Sequence, residues 1–283
     1  MKVIDTHCHL IYRDRLRYPW LASVPALNRD LTLADYLPQA RAAGITAVLH
    51  MEVDVAEADM EAETAFASAL SDITGVIAPC RPEHPDFVAY VERLVANPKV
   101  RGLRRVLHVQ PDSVAQAPIF AERLRILAAH RLTFDFCVLA RQIPLAIAIA
   151  RQCPDVQFVL DHCGNPNIKD REMDPWLGHI RSIAALPNVA CKLSGIVTNA
   201  SPHWTVADLR PFVEHVVDCF GWDRVVWGSD WPVCTMATPL SRWMEATHEL
   251  LSGCGEEDRT RLFSLNAQRI YRLSAHAHSN TRV

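Results

Sequence analysis

This sequence of 283 residues contains no long hydrophobic run. No apolar stretch approaches the roughly 20 residues that a membrane-spanning helix needs, and the chain starts in a strand pattern without the basic and apolar regions of a signal peptide. The charges are nearly balanced, with 29 Lys and Arg against 32 Asp and Glu, which is not the pattern of a nucleic-acid or lipid-binding surface. We therefore expect a cytoplasmic enzyme that binds neither nucleic acid nor membranes.

Paired cysteines and a glycine-rich phosphate loop are also lacking. The 9 cysteines are odd in number and show no metal-finger spacing, and Cys80, Cys137 and Cys191 lie inside apolar runs, so we interpret them as reduced core residues. Glycine is scarce, with 10 residues, and no glycine-rich loop follows the first predicted strand. The sequence therefore offers no sign of a disulfide framework or of a nucleotide site.

Apolar strand patterns alternate with helix patterns along almost the whole chain. The strands are predicted at 3–9, 45–52, 74–80, 100–107, 132–138, 156–162, 188–194 and 224–229. Helices are predicted at 32–43, from Pro85 to before Pro98, and at 118–131, 144–153, 175–186, 206–220, 239–252 and 256–273. Some of these strands are continuously apolar, as in Ala47-Val48-Leu49 and Phe158-Val159-Leu160, which favours parallel strands covered on both faces. Eight such units predict an α/β fold, a (β/α)8 TIM barrel over residues 1–273. An open doubly wound sheet is the alternative.

Three segments lie outside the repeating pattern. Residues 11–31, which include Trp20, form too long a connection for a simple turn and are predicted to cover the active face as a lid or wall. The last helix is predicted to pack beneath the barrel. The polar residues 274–283 are expected to form a disordered tail.

The first strand carries the clearest chemical signal. His7 and His9 are two residues apart, so their side chains project from the same face of a strand. Asp230 lies at the end of the eighth predicted strand, which neighbours the first strand in a closed barrel. Neutral imidazoles and a carboxylate are suitable ligands for a divalent cation such as zinc. His7, His9 and Asp230 are therefore a candidate metal or water site, although two core histidines bound to backbone groups remain an alternative.

Other polar residues stand at the ends of apolar strands, where barrel enzymes collect their function. His162 is a candidate ligand or acid/base group, whereas Asp161 is expected to point away or to brace a neighbour. The candidate substrate-binding residues are Arg81, Glu83, Arg104, Lys192, Trp231 and Trp20. Alternatives stay open for several of them: Arg81 and Glu83 can pair with each other, Lys192 can extend to solvent, and the tryptophans can belong to the core.

These motifs resemble the amidohydrolase superfamily, in particular its lactonase-containing branch, often called amidohydrolase 2, which includes sugar lactonases of the L-fuconolactonase and L-rhamnonolactonase type. The resemblance covers nearly the whole chain. It is carried by His7-Cys8-His9, Asp161-His162-Cys163-Gly164, Lys192-Leu193-Ser194-Gly195 and Gly228-Ser229-Asp230-Trp231-Pro232. It implies a barrel hydrolase in which the residue matching Asp230 takes a proton from the attacking water.

One departure from the superfamily pattern bears on the metal. Many members bind metal through a histidine on the fifth strand, whereas this chain has Thr133-Phe134-Asp135-Phe136-Cys137 there. A two-metal site is therefore not expected, and one divalent ion, zinc by preference, can be present without being essential. A site with few cations suits lactone hydrolysis, because the carbonyl group of a lactone needs less electrophilic activation than that of an amide.

The leading hypothesis is hydrolysis of a sugar-acid lactone, a 1,4- or 1,5-aldonolactone such as L-fuconolactone, to the free acid. Asp230 would act as general base, and His7, His9 and His162 or a bound metal would polarise the carbonyl group. A metal-dependent decarboxylase of the same branch is the second hypothesis. A non-catalytic binding barrel is the third. The oligomeric state is not predicted.

Overall fold

The computed structural model describes residues 2–273 and contains one sheet of eight parallel strands in sequence order. The strands are Val3–Cys8 (β1), Ile45–Met51 (β2), Ile73–Pro79 (β3), Val100–Val106 (β4), Thr133–Cys137 (β5), Gln157–Leu160 (β6), Val189–Leu193 (β7) and Val225–Trp227 (β8). Each overlaps a predicted strand. The predicted tail at 274–283 lies outside the described residues.

The first and last strands close the sheet. The backbone N–H of His9 donates to the carbonyl oxygen of Trp231 at 2.7 Å, and that of Asp230 donates to the carbonyl of His7 at 2.8 Å. These bonds lie just beyond the end of β8, where the two chain segments run parallel. The fold is therefore the predicted (β/α)8 barrel, and the open doubly wound sheet is wrong. The treatment of residues 1–273 as one domain stays a prediction.

Helices follow the strands as the periodicity indicates, with three differences. They are Leu33–Ala42 (α1), Met60–Ala69 (α2), Phe87–Leu94 (α3), Asp112–Gln116 (α4), Pro118–Leu124 (α5), Ile126–Ala129 (α6), Ile143–Gln152 (α7), Trp176–Ala184 (α8), Val206–Phe220 (α9), Leu240–Leu250 (α10), Glu256–Thr260 (α11) and Asn266–Ile270 (α12). The sequence analysis missed α2, whose many alanines leave a weak apolar pattern, and it missed the short α4. The helix predicted at 118–131 is divided into α5 and α6.

The final helical run closes the bottom of the barrel, as predicted. Residues 261–265 form a π-helical segment between α11 and α12. Ala267, Ile270 and Tyr271 pack against the side chains that fill the barrel interior. These interior residues are Ile4, Leu49, Met51, Ile77, Val159, Ala190 and Val226. The interior is thus a packed core rather than a channel.

The connection between β1 and α1 lies over the opposite, C-terminal face. It contains two short 3-10 helices, Pro19–Ser23 and Pro25–Leu27, and its two ends are joined by backbone hydrogen bonds between Ile11 and Leu31 at 2.9 and 3.0 Å. The Trp20 indole N–H donates to the carbonyl oxygen of Val53 at 2.8 Å. This segment is a wall of the site, as predicted for residues 11–31.

All nine cysteines are free thiols, and seven of them are buried. Within residues 2–273, none of the helices combines the length and the apolar character needed to cross a membrane.

Candidate active site

Three predicted residues meet at the C-terminal end of the barrel. The Nε2 atoms of His7 and His9 are 3.1 Å apart, and they lie 3.6 and 3.5 Å from the Oδ1 atom of Asp230. All three side chains are buried. The structure therefore brings residues of the first strand and a residue that follows the last strand together around one point.

The backbone after β8 turns sharply to deliver Asp230. Asp230 has φ of 59°, a left-handed conformation that costs energy for a residue with a side chain and is often found at functional sites. Gly228 lets this segment approach β1 closely, because a Cβ atom there would lie 2.7 Å from the Cβ of His7. The turn thus aims the carboxylate at the imidazoles instead of continuing the strand.

The hydrogen bonds of His9 and His7 define which nitrogens carry lone pairs. His9 Nδ1 lies 2.9 and 3.0 Å from the carbonyl oxygens of Glu52 and Met51. It must donate to them, so the neutral ring keeps a lone pair on Nε2. His7 lies between two donors, with Arg104 Nη1 3.3 Å from its Nε2 and Lys192 Nζ 3.2 Å from its Nδ1. In the tautomer with the proton on Nδ1, two imidazole lone pairs and one carboxylate oxygen face the same point.

This donor set fits a divalent metal ion. Tetrahedral zinc with bonds of about 2.0–2.1 Å separates its ligand atoms by about 3.3 Å, close to the 3.1–3.6 Å observed among these three atoms. Within residues 2–273, a second group with metal-binding geometry consists of His7, Asp161 and His162. Lys192 counts against that second group, because its ammonium lies 2.9 Å from Asp161 Oδ1 and competes for the same carboxylate.

A buried ionic network lies directly behind the first-strand histidines. Lys192 Nζ is 2.6 Å from Asp135 Oδ2, 2.9 Å from Asp161 Oδ1 and 3.2 Å from His7 Nδ1. The Tyr271 hydroxyl donates to Asp135 at 2.9 Å. Tyr271 belongs to the final helical run that closes the bottom of the barrel, so the network connects that run with the ring of His7 and holds the ring in position.

We expect Lys192→Met to destabilise the protein. The substitution leaves the buried carboxylates of Asp135 and Asp161 without their shared cation, which typically costs about 3–5 kcal/mol. Urea unfolding measures the effect, with Lys169→Met as the control because Lys169 is exposed. Equal stability of the two variants would show that Lys192 does not compensate these charges.

His162 lies beside the cluster on a strained turn. Its φ is 53°, and Cys163 and Asn165 also have positive φ values. Its Nδ1 is 2.9 Å from Ser194 Oγ, and its ring centroid is 4.5 Å from that of His7. The hydrogen bond with Ser194 occupies Nδ1, so Nε2 is the nitrogen available to a bound molecule.

Arg104 brings a positive charge to the site. Its Nε donates to Glu52 Oε1 at 2.7 Å, and its Nη2 donates to the Glu52 carbonyl oxygen at 2.8 Å. Nη1 lies 3.5 Å from Asp161 Oδ2. Burial alone would lower the pKa of Arg104, but these carboxylates raise it. The guanidinium is thus permanently charged and held in one orientation.

Burial controls the protonation of the cluster. It raises the pKa of Asp230 to about 6, so the carboxylate is mostly ionised at neutral pH. It lowers the pKa of His9 to about 3 and also lowers the pKa values of His7 and His162. Burial alone would raise the pKa of Asp161, but Lys192 and His7 hold it well below its usual range. The site therefore combines an ionised Asp230 with neutral imidazoles.

A cavity of about 760 Å³ opens above these side chains, within the range that holds small organic ligands. His9, Arg104, His162 and Asp230 line its buried part. Trp20 of the β1–α1 segment contributes to its wall. The ionised carboxylate and the imidazoles are thus accessible to a small molecule.

A family model described as amidohydrolase matches residues 4–273. The chain belongs to the amidohydrolase family. It is 31% identical over 280 residues, 95% of each chain, to L-fucono-1,5-lactonase of Burkholderia ambifaria. A crystal structure of an amidohydrolase from Burkholderia multivorans with bound zinc has a TM-score of 0.86 and is 28% identical, with 96% of this chain and 100% of that chain covered. This chain is accordingly a hydrolase.

The structural similarity extends to a decarboxylase at the level of the fold. The crystal structure of 5-carboxyvanillate decarboxylase from Sphingomonas paucimobilis has a TM-score of 0.68 at 16% identity, with 96% of this chain and 99% of that chain covered. Such low identity supports the barrel and carries no conclusion about the reaction. The decarboxylase hypothesis therefore gains nothing beyond the shared architecture.

Four residues that were predicted to bind substrate do not line the cavity of this amidohydrolase, and these predictions are corrected. They are Trp231, Lys192, Arg81 and Glu83. Trp231 is 1% exposed and packs 5.3 Å from Tyr36, because the turn at Asp230 directs it into the core. Lys192 is enclosed by its carboxylate partners and does not reach the cavity. Its predicted alternative, extension to solvent, is also wrong.

Arg81 and Glu83 follow β3 but turn away from the cavity. Arg81 lies 3.3 Å from Asp54, which does line the cavity. Glu83 binds Arg105 at 2.7 Å. The two residues do not pair with each other, because each finds an oppositely charged partner on a neighbouring strand or loop.

Two important residues were not given their observed roles. Asp161 was expected to point away or to brace a neighbour, and it braces Lys192 and His7. It lies two residues after the interior residue Val159, so it keeps the alternation of β6, and His162 reaches the site through the positive-φ turn that follows. Glu52 orients both Arg104 and His9 through its side chain and its carbonyl oxygen. Its position after β2, two residues beyond His50, was the available signal.

Proposed function

We propose that the protein hydrolyses a sugar-acid lactone, a 1,4- or 1,5-aldonolactone such as L-fuconolactone, to the free hydroxy acid. The observation that carries the proposal is the Asp230 carboxylate, which is ionised at neutral pH and lies at the base of the cavity beside two neutral imidazoles. The L-fucono-1,5-lactonase relative supports the same reaction class.

In this mechanism Asp230 acts on water. The carboxylate accepts a proton as the water oxygen forms a bond to the lactone carbonyl carbon. The ring C–O bond then breaks, and the leaving alkoxide takes the proton held by Asp230, directly or through a relay by His162, which restores the Asp230 carboxylate. The product is the open-chain hydroxy acid, whose own carboxyl group then loses its proton to solvent.

Charge on the carbonyl oxygen must be stabilised as the bond to water forms. The neutral rings of His7, His9 and His162 offer dipoles and no full positive charge. Arg104 is the cation that lines the same part of the cavity. We therefore assign electrostatic stabilisation to Arg104, with His162 placed to donate a hydrogen bond through Nε2.

His7, His9 and Asp230 would hold a divalent ion, for which we propose zinc. A bound zinc ion would supply Lewis acidity toward the carbonyl group and lower the pKa of a nearby water. The donor set and its spacing support the proposal, and the zinc-bound relative shows that such an ion occurs in a similar protein. The residue roles given above do not depend on it.

A neutral substrate suits the charges of the site. Arg104 is already paired with Glu52, and Asp54 and Asp230 contribute negative charge to the cavity. A hydroxylated, uncharged lactone needs no further cation.

We also propose that the enzyme acts in the cytoplasm, which is consistent with its nine free thiols.

A panel of lactones tests the proposed function. Hydrolysis releases an acid, so a pH indicator reports turnover of aldonolactones, and we expect activity on at least one 1,4- or 1,5-aldonolactone. Metal content and activity after chelation are measured on the same preparation to decide whether zinc is needed. No turnover of any lactone, or release of carbon dioxide from aromatic acids, would contradict the proposal.

A further inference from the structure

Exposed apolar side chains are concentrated at the mouth of the cavity. Within residues 2–273, five large apolar residues are strongly exposed, and three of them, Val109, Leu139 and Met236, line this cavity with exposures of 61%, 36% and 48%. They come from three different loops, which follow β4, β5 and β8. Apolar side chains that gather around a ligand cavity usually mark a binding surface.

Half-buried apolar residues extend this surface toward the base of the cavity. Trp20 and Val24 approach from the β1–α1 segment, and Val233 from the loop after β8. The Trp20 indole N–H is already bound to the Val53 carbonyl oxygen, so a ligand meets only its apolar ring. This set of residues, Trp20, Val24, Val109, Leu139, Val233 and Met236, is called the mouth surface below.

The opposite wall of the cavity has a different character. Asn165, Asn167, Thr198 and Asn199 come from the loops after β6 and β7. A lactone at Asp230 therefore has polar groups on one side and the mouth surface on the other. The cavity is also larger than a single sugar ring requires.

We propose that the mouth surface is a subsite for an uncharged hydrocarbon substituent on the lactone ring. The inference rests on the proposed lactone hydrolysis, and it specifies the substrate further. Burial of alkyl carbon against these side chains stabilises the bound state in proportion to the apolar area removed from water. A charged substituent would gain no partner there, because Arg104 is the only cation lining the described cavity and it is held by Glu52.

A series of γ-lactones with hydrogen, ethyl, butyl or hexyl chains on the ring tests the subsite. We expect kcat/KM to rise about twofold to fourfold for each methylene until the mouth surface is covered. A chain of equal length that ends in a carboxylate is expected to lose this gain. Met236→Gln should reduce the gain from the hexyl chain by about tenfold, whereas Leu265→Gln, an equally exposed apolar residue away from the cavity, should leave the series unchanged.

Binding of lactams with the same chains, measured by calorimetry, separates the two proposals. If lactones are not hydrolysed but lactam affinity still rises with chain length and falls in Met236→Gln, the subsite holds and the proposed function fails. If lactones are hydrolysed without any dependence on chain length, the proposed function holds and the subsite is wrong. Loss of dimerisation in Met236→Gln, together with a flat series, would also overturn the subsite, because the mouth surface would then bind a second copy of the chain.

Discussion

Replacement of Asp230 by asparagine is expected to lower kcat/KM for lactone hydrolysis by about 10³-fold, within the range usual for loss of a general base. The amide has nearly the same shape as the carboxylate but cannot take a proton from water. Its NH2 group would also face the lone pairs of His7 and His9 instead of a water proton. Initial rates on the best lactone of the panel measure the effect.

Stability and a second carboxylate provide the controls. Burial disfavours the ionised form of Asp230 and raises its pKa to about 6, so removal of the charge should not lower the melting temperature. Asp54→Asn removes another carboxylate that lines the cavity but lies outside the histidine cluster, and its effect should be below about tenfold. Near-normal turnover by a folded Asp230→Asn variant would remove Asp230 as the base.

Gly195→Ala is expected to lower kcat/KM by about 100-fold or more. A Cβ atom at this position would lie 2.4 Å from His162 Nδ1, closer than atoms can pack, and 3.0 Å from Asp230 Oδ2, a tight contact. The His162 ring must therefore shift beside Asp230, and displacement of about 1 Å at a reacting group can cost about 100-fold in rate. Steady-state kinetics on the same lactone provides the measurement.

Gly44→Ala separates this clash from backbone strain. Gly44 has φ of 75° and Gly195 has φ of 63°, but a Cβ at Gly44 meets nothing within 4 Å. Both substitutions therefore place alanine in a left-handed conformation, at a cost of roughly 1–2 kcal/mol, and only Gly195→Ala disturbs the site. Equal activity of the two variants would show that the site tolerates the added methyl group.

Much of the fold could be predicted because it depends on local periodicity. Continuous apolar runs such as that of β6 have a recognisable length, and helix α1 begins with the capping box of Thr32 and Asp35. The errors fall where this signal is weak. Helix α2 has few large apolar residues, and the helix predicted at 118–131 is interrupted at Arg125.

The candidate site was predictable where the direction of a side chain follows from its position along a strand. His7 and His9 are two residues apart on one strand, and Asp230 ends the strand that closes the barrel against it. The inward direction of Asp161 was not recognised, because the prediction gave His162 the inward position of the sixth strand, whereas His162 reaches the site through a turn with positive φ that two-residue alternation does not describe. Glu83 and Trp231 were misplaced because their orientation depends on Arg105 and on the core around Tyr36.

The sequence by itself determined the eight strands, most of the helices between them, and the two histidines and the aspartate that meet at the strand ends, since periodicity and side-chain alternation are local properties of the chain. Only the tertiary structure decided which polar strand-end residues reach the cavity. Lys192 lies behind the site and Arg104 within it, although both stand in the C-terminal half of a barrel strand. The difference arises because a buried charge takes the position where it finds an opposite charge, and those partners come from distant strands.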